Sequence, residues 1–365
     1  MSGVIVNEWI EPQGGAEKVL DSFAVTYPDA QIVCPWNDAP GRYASFRVTE
    51  SRLARGPLRR HKALSMPFML SDWRHVKVKD ADWVLCSSHL FAHHARLQGT
   101  ARDAKKYVFV HSPARYIWEP QLDDRGAGVL KRMAAVPLKA VDRRRAQEAH
   151  KIATVSRFVA ERVERCWDRE STVIHPPVDV SAFADDAVGE LSADERRLLD
   201  TLPETFVLGA SRLVPYKRVD VALAAGEAAQ LPVIVAGDGP DRARLEALAA
   251  EQSSPVHFVG RPSTPLLREL YRRSLVYVFA PVEDFGIMPV EAMATGTPVL
   301  VSALGGASET VVDGVSGVHL RSFDRGELRR AVEAAATLDP EACRARAREF
   351  DGAGFGARIR EWMAS

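Results

Sequence analysis

The sequence predicts an α/β chain of two parallel-sheet units. Three observations carry that prediction: a length of 365 residues, short apolar runs alternating with helical patterns throughout, and a proline pair between the halves. At roughly 100–200 residues per domain, the length suits two domains. Strands are expected at 4–6, 30–33, 83–86, 107–110 and 151–155, and then at 206–210, 233–236, 256–259, 275–279 and 299–301. Many of these runs are apolar throughout rather than alternating, as in strands covered by helices on both faces. Strand–helix alternation in each half then builds two α/β units.

The boundary falls at His175-Pro176-Pro177-Val178-Asp179, where two prolines forbid a helix and favour an extended connector. Residues 1–178 form the first domain and 179–345 the second. The charged, Ala-rich stretch 181–203 reads as a loop and a short helix, and 354–363 as a terminal helix. No internal repeat or low-complexity tract interrupts the pattern.

Hydrophobic residues make up 46% and charged residues 26%, a balance that excludes disorder. Formal net charge is zero, yet residues 1–178 carry 28 Lys+Arg against 20 Asp+Glu. This asymmetry fits either an anionic partner for the first half or a chance partition of surface charge. Zero net charge without a basic–aromatic module argues against nucleic acid. Cys34, Cys86, Cys166 and Cys343 are far apart and form no C-x-x-C pair, as expected of reduced thiols in a cytoplasmic protein. The N-terminus lacks the basic and apolar regions of a signal peptide, and no run approaches 18 apolar residues.

The strongest chemical constellation is EDFGIMPVE at 283–291, between an expected strand and an expected helix. Ligands of open α/β sheets sit outside the carboxyl ends of strands, where this segment falls. Pro289 suits a first helical turn, and the helix start offers N–H groups to a phosphate. Glu291 can accept two hydrogen bonds from a ribose diol, and Glu283 can hold sugar hydroxyls. The alternative is a surface loop with two solvated glutamates. A second constellation, SRLVPYK at 211–217, places Arg212 and Lys217 in one strand-to-helix loop. Arg offers a planar fork to phosphate oxygens and Lys a point charge; solvated surface cations are the alternative.

Gly237-Asp238-Gly239 begins like a dinucleotide fingerprint but carries Arg242 at the sixth position, so it reads as a tight turn or a weak phosphate loop. Gly305-Gly306 reads likewise as a turn or a close approach to ligand. In the first half, Gly14-Gly15 follows the first strand and opens a helix, as a backbone approach to phosphate or a plain helix start. His111 follows the strand at 107–110 and is expected to face a cleft, with Arg115, Tyr116 and Trp118 as an acceptor pocket or as packing. Two motifs read as decoys. Asp80-x-Asp82 precedes its strand, the wrong end for a metal–diphosphate site. His93 and His94 are adjacent, so on a helix they would face apart and make a poor metal pair.

Jointly, these residues resemble retaining glycosyltransferase family 4, of the GT-B fold. The resemblance covers nearly the whole chain and rests on Glu283-x7-Glu291 within EDFGIMPVEAMATGTPVL and on Arg212-x4-Lys217. It implies two Rossmann-like domains with parallel sheets facing an interdomain cleft, and a C-terminal helix at 346–365 packing back on the first domain. It implies a diphosphate site at Arg212 and Lys217, and donor contacts from Gly14, Gly15, Gly237, Phe285, Gly286, Ile287 and Met288. Glu283 would hold the sugar, Glu291 the ribose, and His111 the reaction centre. Gly305 and Gly306 would form a turn near the sugar and phosphates. Catalysis would proceed by front-face attack without an obligatory metal or cofactor.

SRLVPYKRVD, HSPARYIW and EDFGIMPVEA resemble the bacterial O-antigen mannosyltransferase branch, which points to GDP-mannose as donor. Arg115, Tyr116 and Trp118 belong to that branch rather than to the whole family. A UDP-sugar transferase, a sugar-nucleotide epimerase, a phosphorylase and a non-catalytic sugar-nucleotide-binding protein are the alternatives. The cluster Arg52, Arg55, Arg59, Arg60 and Lys62 beside 66–70 fits peripheral contact with an anionic membrane at its inner face, or a solvated loop beside core residues.

Overall fold

The computed structural model describes residues 2–12, 14–119, 129–184 and 191–365, without the side chains of 58, 60, 63 and 129–135. The chain divides into two compact units: Met1–Pro177 with Gly352–Ser365, and Val178–Asp351.

The first unit runs β1 (Gly3–Asn7), α1 (Gly15–Thr26), β2 (Gln31–Cys34), β3 (Val48–Glu50), α2 (Lys62–Asp72), β4 (Trp83–Ser88), β5 (Lys105–Val110), α3 (Arg115–Trp118), α4 (Val129–Ala146), β6 (Lys151–Thr154), α5 (Arg157–Trp167) and β7 (Thr172–Val173). Its seven strands lie in the order β3-β2-β1-β4-β5-β6-β7, and every pair is parallel. The second unit runs α6 (Ala193–Thr201), β8 (Val207–Ala210), α7 (Asp220–Ala229), β9 (Val233–Ala236), α8 (Arg242–Ala250), β10 (Val256–Gly260), α9 (Thr264–Arg273), β11 (Val276–Phe279), α10 (Ile287–Ala294), β12 (Val299–Ser302), α11 (Ala307–Thr310), β13 (Gly317–Leu320), α12 (Arg325–Ala335) and α13 (Pro340–Arg348). Its six parallel strands follow the order β10-β9-β8-β11-β12-β13.

The central strands are buried along their whole length, as their unbroken apolar runs require. β3, β7 and β13 were not expected from the sequence. All three are edge strands, and an edge strand with half-exposed positions needs few apolar residues. α2 also corrects the sequence reading, which gave that stretch no helix. Residues 346–351, assigned from sequence to a terminal helix, belong to the second unit.

Packing in the second unit follows the same logic. Val207, Val233, Val235, Val276, Val278 and Leu300 of the sheet meet Val221, Ala222 and Ala225 of α7 and Leu328 and Val332 of α12. In the first unit, Ser156 caps α5, its hydroxyl accepting from the Val159 N–H at 3.1 Å. Asp80 and Asp82 sit at the amino end of β4. Asp80 accepts from the Thr100 hydroxyl and Asp82 from the Ser2 N–H, so both serve a turn.

The last helix, α14 (Phe355–Ala364), is part of the first unit. Phe355 stacks on Phe23 and meets Phe109 edge-on, with ring centroids 5.7 Å away in both cases. Tyr107 donates its hydroxyl to the Met363 carbonyl at 2.9 Å, and Lys151 donates to the Trp362 carbonyl at 3.1 Å. The helix thus completes the core of a unit whose sheet lies more than 170 positions upstream. All seven tryptophans belong to this unit, so tryptophan fluorescence reports its unfolding alone. Phe355→Ala is expected to cost the unit about 3–5 kcal/mol in urea unfolding followed by that fluorescence. A loss below about 1 kcal/mol would show that the helix is dispensable to the core.

Candidate active site

In the second unit, polar loops gather at the carboxyl ends of β8, β9, β11 and β12. The loop after β8 carries Arg212 and a short 3₁₀ turn, Pro215–Lys217. Lys217 Nζ donates to Glu283 Oε1 at 2.6 Å, with 15% and 20% of the two side chains exposed. The structure therefore brings one residue from each of the two motifs together. Arg212 is exposed on the same loop, and its Nη2 donates to the Tyr216 hydroxyl at 2.8 Å.

Glycines allow these loops to touch. Gly237 has φ of 139°, and a Cβ there would fall 1.8 Å from the Ser211 carbonyl oxygen. Leu213 N–H donates to the Asp238 carbonyl at 2.9 Å, tying the β9 loop to the Arg212 loop. Gly306 N–H donates to the Glu283 carbonyl at 2.7 Å, and a Cβ at 306 would fall 2.0 Å from the Asp284 carbonyl oxygen. Gly237 and Gly306 thus support the cationic and acidic loops respectively.

Gly286, with φ of 115°, caps α10, and Ile287 and Met288 open that helix. Pro289 stands in its first turn, where no intrahelical N–H is needed. Glu291 is buried in α10. Burial pushes the phenols of Tyr271 and Tyr277 well above their ordinary range, and the Glu291 charge adds to both, after Tyr277 in the case of Tyr271. Phe285 is buried with its ring edge-on to Phe350, centroids 5.6 Å apart.

In the first unit, Gly14 and Gly15 start α1, and His111 follows β5. Ser87 Oγ, at the end of β4, lies 2.9 Å from His111 Nε2. Arg115 and Tyr116 are half-buried in α3. Trp118 ends α3 with its indole N–H donated to Asp142 Oδ2 at 2.7 Å and Lys139 Nζ 5.3 Å from its ring. That N–H is directed to α4. His93 and His94 correct the sequence reading. They lie in a 3₁₀ turn rather than an α-helix, and both Nε2 atoms approach Asp142 Oδ1.

Residues 194–350 match the family model "Glycosyl transferases group 1", and residues 13–182 match "Glycosyltransferase Family 4". Each unit thus matches a glycosyltransferase family model. The chain is 33% identical over 224 residues to D-inositol 3-phosphate glycosyltransferase of Mycobacterium sp. (strain KMS), covering 57% of this chain and 50% of that protein. It is 35% identical over 184 residues to the protein of that name from Mycolicibacterium smegmatis, covering 47% and 41%. The chain thus spans half or less of the length of these curated relatives. Among solved structures it is similar to Anabaena HepE in complex with UDP, at TM-score 0.73 and 18% identity over all of both chains. It is also similar to sucrose-phosphate synthase from Thermosynechococcus elongatus, at TM-score 0.71 and 17% identity, covering 100% of this chain and 98% of that one. These likenesses establish the GT-B fold.

Sequence reasoning passed over Glu8, Ser87 and Asp142. The available signal for Glu8 was its position directly after the first strand; Asp142 gave none, lying in an ordinary charged helical stretch. Glu8 is fully buried. Its Oε1 accepts from the N–H groups of Leu90 at 2.9 Å and Ala92 at 2.7 Å, while Oε2 has no hydrogen-bond partner among the described residues. Burial pushes its carboxyl from 4.5 up to about 7 against those N–H bonds. The unfolded chain therefore loses this proton first. Stability contributed by the protonated acid is full below about 4.5 and is lost as pH rises through about 7, a change of about 3 kcal/mol. Glu8→Gln keeps the shape without the titration. Relative to wild type, it should gain about 3 kcal/mol in urea unfolding between pH 4.5 and pH 8. A constant difference across that range would refute the raised value.

Proposed function

We propose that the chain transfers a hexose from a nucleoside-diphosphate sugar to a hydroxyl acceptor, with retention of anomeric configuration. The Lys217–Glu283 contact is the observation that carries this reading, because it places a phosphate-type cation and a sugar-type carboxylate side by side. Arg212 and Lys217 neutralise the departing diphosphate, and the start of α10 from Gly286 adds N–H groups and a positive dipole end. These groups meet the leaving-group charge, and the reaction needs no obligatory metal. Glu283 holds the sugar, Glu291 the ribose diol, and the backbone at Gly237 and 285–288 lines the donor. His111 acts at the donor sugar beside the incoming hydroxyl, Gly14 and Gly15 bring backbone near the donor, and Arg115 and Tyr116 face the acceptor.

GDP-mannose is the proposed donor, on the motif likeness to the mannosyltransferase branch. UDP-glucose is the second reading, since structures similar to this chain are described in complex with UDP and UDP-glucose. The acceptor is a glycan, a lipid-linked glycan or a small polyol; the relatives' name, D-inositol 3-phosphate glycosyltransferase, supports the last.

Turnover of both donors, read as released nucleoside diphosphate with and without EDTA, tests these assignments together. Lys217→Ala should lower turnover about 10²–10³-fold, as loss of one charge-stabilising donor does elsewhere, with the fold intact. Wild-type turnover in that variant would break the phosphate assignment.

No helix among the described residues is long and apolar enough to cross a membrane. The proposed location is the cytoplasm, with peripheral contact at the inner membrane face through α2. Leu64 and Phe68, four residues apart and so on one side of that helix, are 62% and 56% exposed. Arg52 and Arg55 are exposed nearby in sequence, whereas Arg59 pairs with Asp38 and Lys62 with Glu11. The Arg60 side chain lies outside the described residues. Sedimentation with vesicles containing anionic lipid should carry the protein down, and Leu64→Ser with Phe68→Ser should release it. Absence of wild-type binding would remove the membrane proposal.

A further inference from the structure

Asp142 of α4 is fully buried, and its carboxylate is surrounded by N–H donors. His93 and His94 Nε2 lie 3.1 and 2.9 Å from Oδ1, and the indoles of Trp118 and Trp167 both donate to Oδ2 at 2.7 Å. Three of these contacts are hydrogen bonds, from His94 and the two indoles; His93 Nε2 approaches Oδ1 without one. Burial raises the Asp142 pKa, but His93 and His94 outweigh burial and hold the carboxyl below its ordinary range. Burial, with His93 alongside, lowers the His94 imidazole to about 4, so at neutral pH it is an uncharged donor.

Two routes lead from this carboxylate to His111. In one, His93 Nδ1 lies 2.9 Å from Ser88 Oγ, and the neighbouring Ser87 bonds His111 Nε2. In the other, Trp118 closes α3, seven residues after His111, and so anchors the far end of segment 111–119. Arg162 fastens the same segment: its Nη1 donates to Ser112 Oγ at 2.7 Å and its Nε lies 2.8 Å from Glu119 Oε2.

We propose that Asp142 is a positioning residue for His111, fixing the segment 111–119 and the end of β4 by holding Trp118 and His93 together. The proposal rests on the reading of His111 as part of the reaction centre. A metal is the rival occupant, since ligand atoms of His93, His94 and Asp142 lie within 4.8 Å of one another. The hydrogen-bond reading is favoured because it accounts for both indoles on Oδ2 and for the Ser88 hydroxyl on His93 Nδ1 at once.

Trp118 and Trp167 provide a matched control. Each donates an equal bond to the same oxygen, but only Trp118 lies on the segment of His111. In the full chain, turnover of whichever of GDP-mannose and UDP-glucose the wild type consumes should fall about tenfold in Trp118→Phe and about a hundredfold in Asp142→Asn. Trp167→Phe should stay within about twofold, and affinity for GDP or UDP, read by calorimetry, should change by less than about twofold in all three. Equal losses in the two tryptophan variants would reduce Asp142 to a stabilising role and overturn the proposal, as would stoichiometric zinc in the purified protein. If Asp142→Asn fails to fold, the tryptophan pair decides alone. His111→Ala separates the two levels. Wild-type turnover there removes the ground of both, whereas loss there with none in Trp118→Phe overturns the Asp142 role only.

Discussion

A lysine ammonium and a glutamate carboxylate, 66 positions apart in sequence, meet at 2.6 Å because β8 and β11 are neighbours in the sheet. Parallel strands deliver their carboxyl-end loops to the same side, so adjacent strands place adjacent loops. Both side chains keep a minor part of their surface in water. That setting is informative. A fully exposed pair contributes little, and a fully buried one resists separation because either partner alone would be costly. A largely covered lysine with a minor part still in water can exchange part of its contact with Glu283 for an anion, since an ammonium has three donors and this contact uses one.

The glycines around this pair act as spacers. With Cβ atoms, Gly237 and Gly306 would collide with backbone carbonyl oxygens at 1.8 and 2.0 Å. Backbone cannot yield as the tip of a flexible side chain can, so each substitution would push one loop off another. The β9 loop holds Leu213 between Arg212 and Lys217, and the β12 loop holds the backbone of Glu283. Close approach between loops is therefore what orients the polar side chains, and the sequence shows it only as Gly-rich turns that fit many purposes.

This difference explains how much was legible in advance. Central strands announced themselves because burial on both faces demands unbroken apolar runs; β3, β7 and β13 did not, because an edge strand of two to four residues makes no such demand. The Glu283 and Lys217 motifs were visible because each is local. Asp142 was invisible because its meaning lies in four side chains from three separate segments, at 93–94, 118 and 167. The adjacency argument against His93 and His94 failed because it assumed an α-helix. In a 3₁₀ turn both rings reach one carboxylate.

The two units thus solve the same problem in opposite ways. Around Lys217 the polar groups are partly solvated and carried on loops that glycines allow to pack. Around His111 they are buried and linked to one another: Ser87, Ser88, His93, Asp142 and Arg162 are all nearly or fully inaccessible. Removing one buried partner leaves another unpaired, typically at about 1–3 kcal/mol, so such a network holds one arrangement against its alternatives. A diphosphate is a large, diffuse charge that partly solvated cations can follow as it departs. A hydroxyl that must attack one carbon from one face needs fixed neighbours, and misplacement by about 1 Å can cost about a hundredfold in rate. Under the proposed transfer, rigid burial behind His111 and adaptable charge around Lys217 are what those two tasks require.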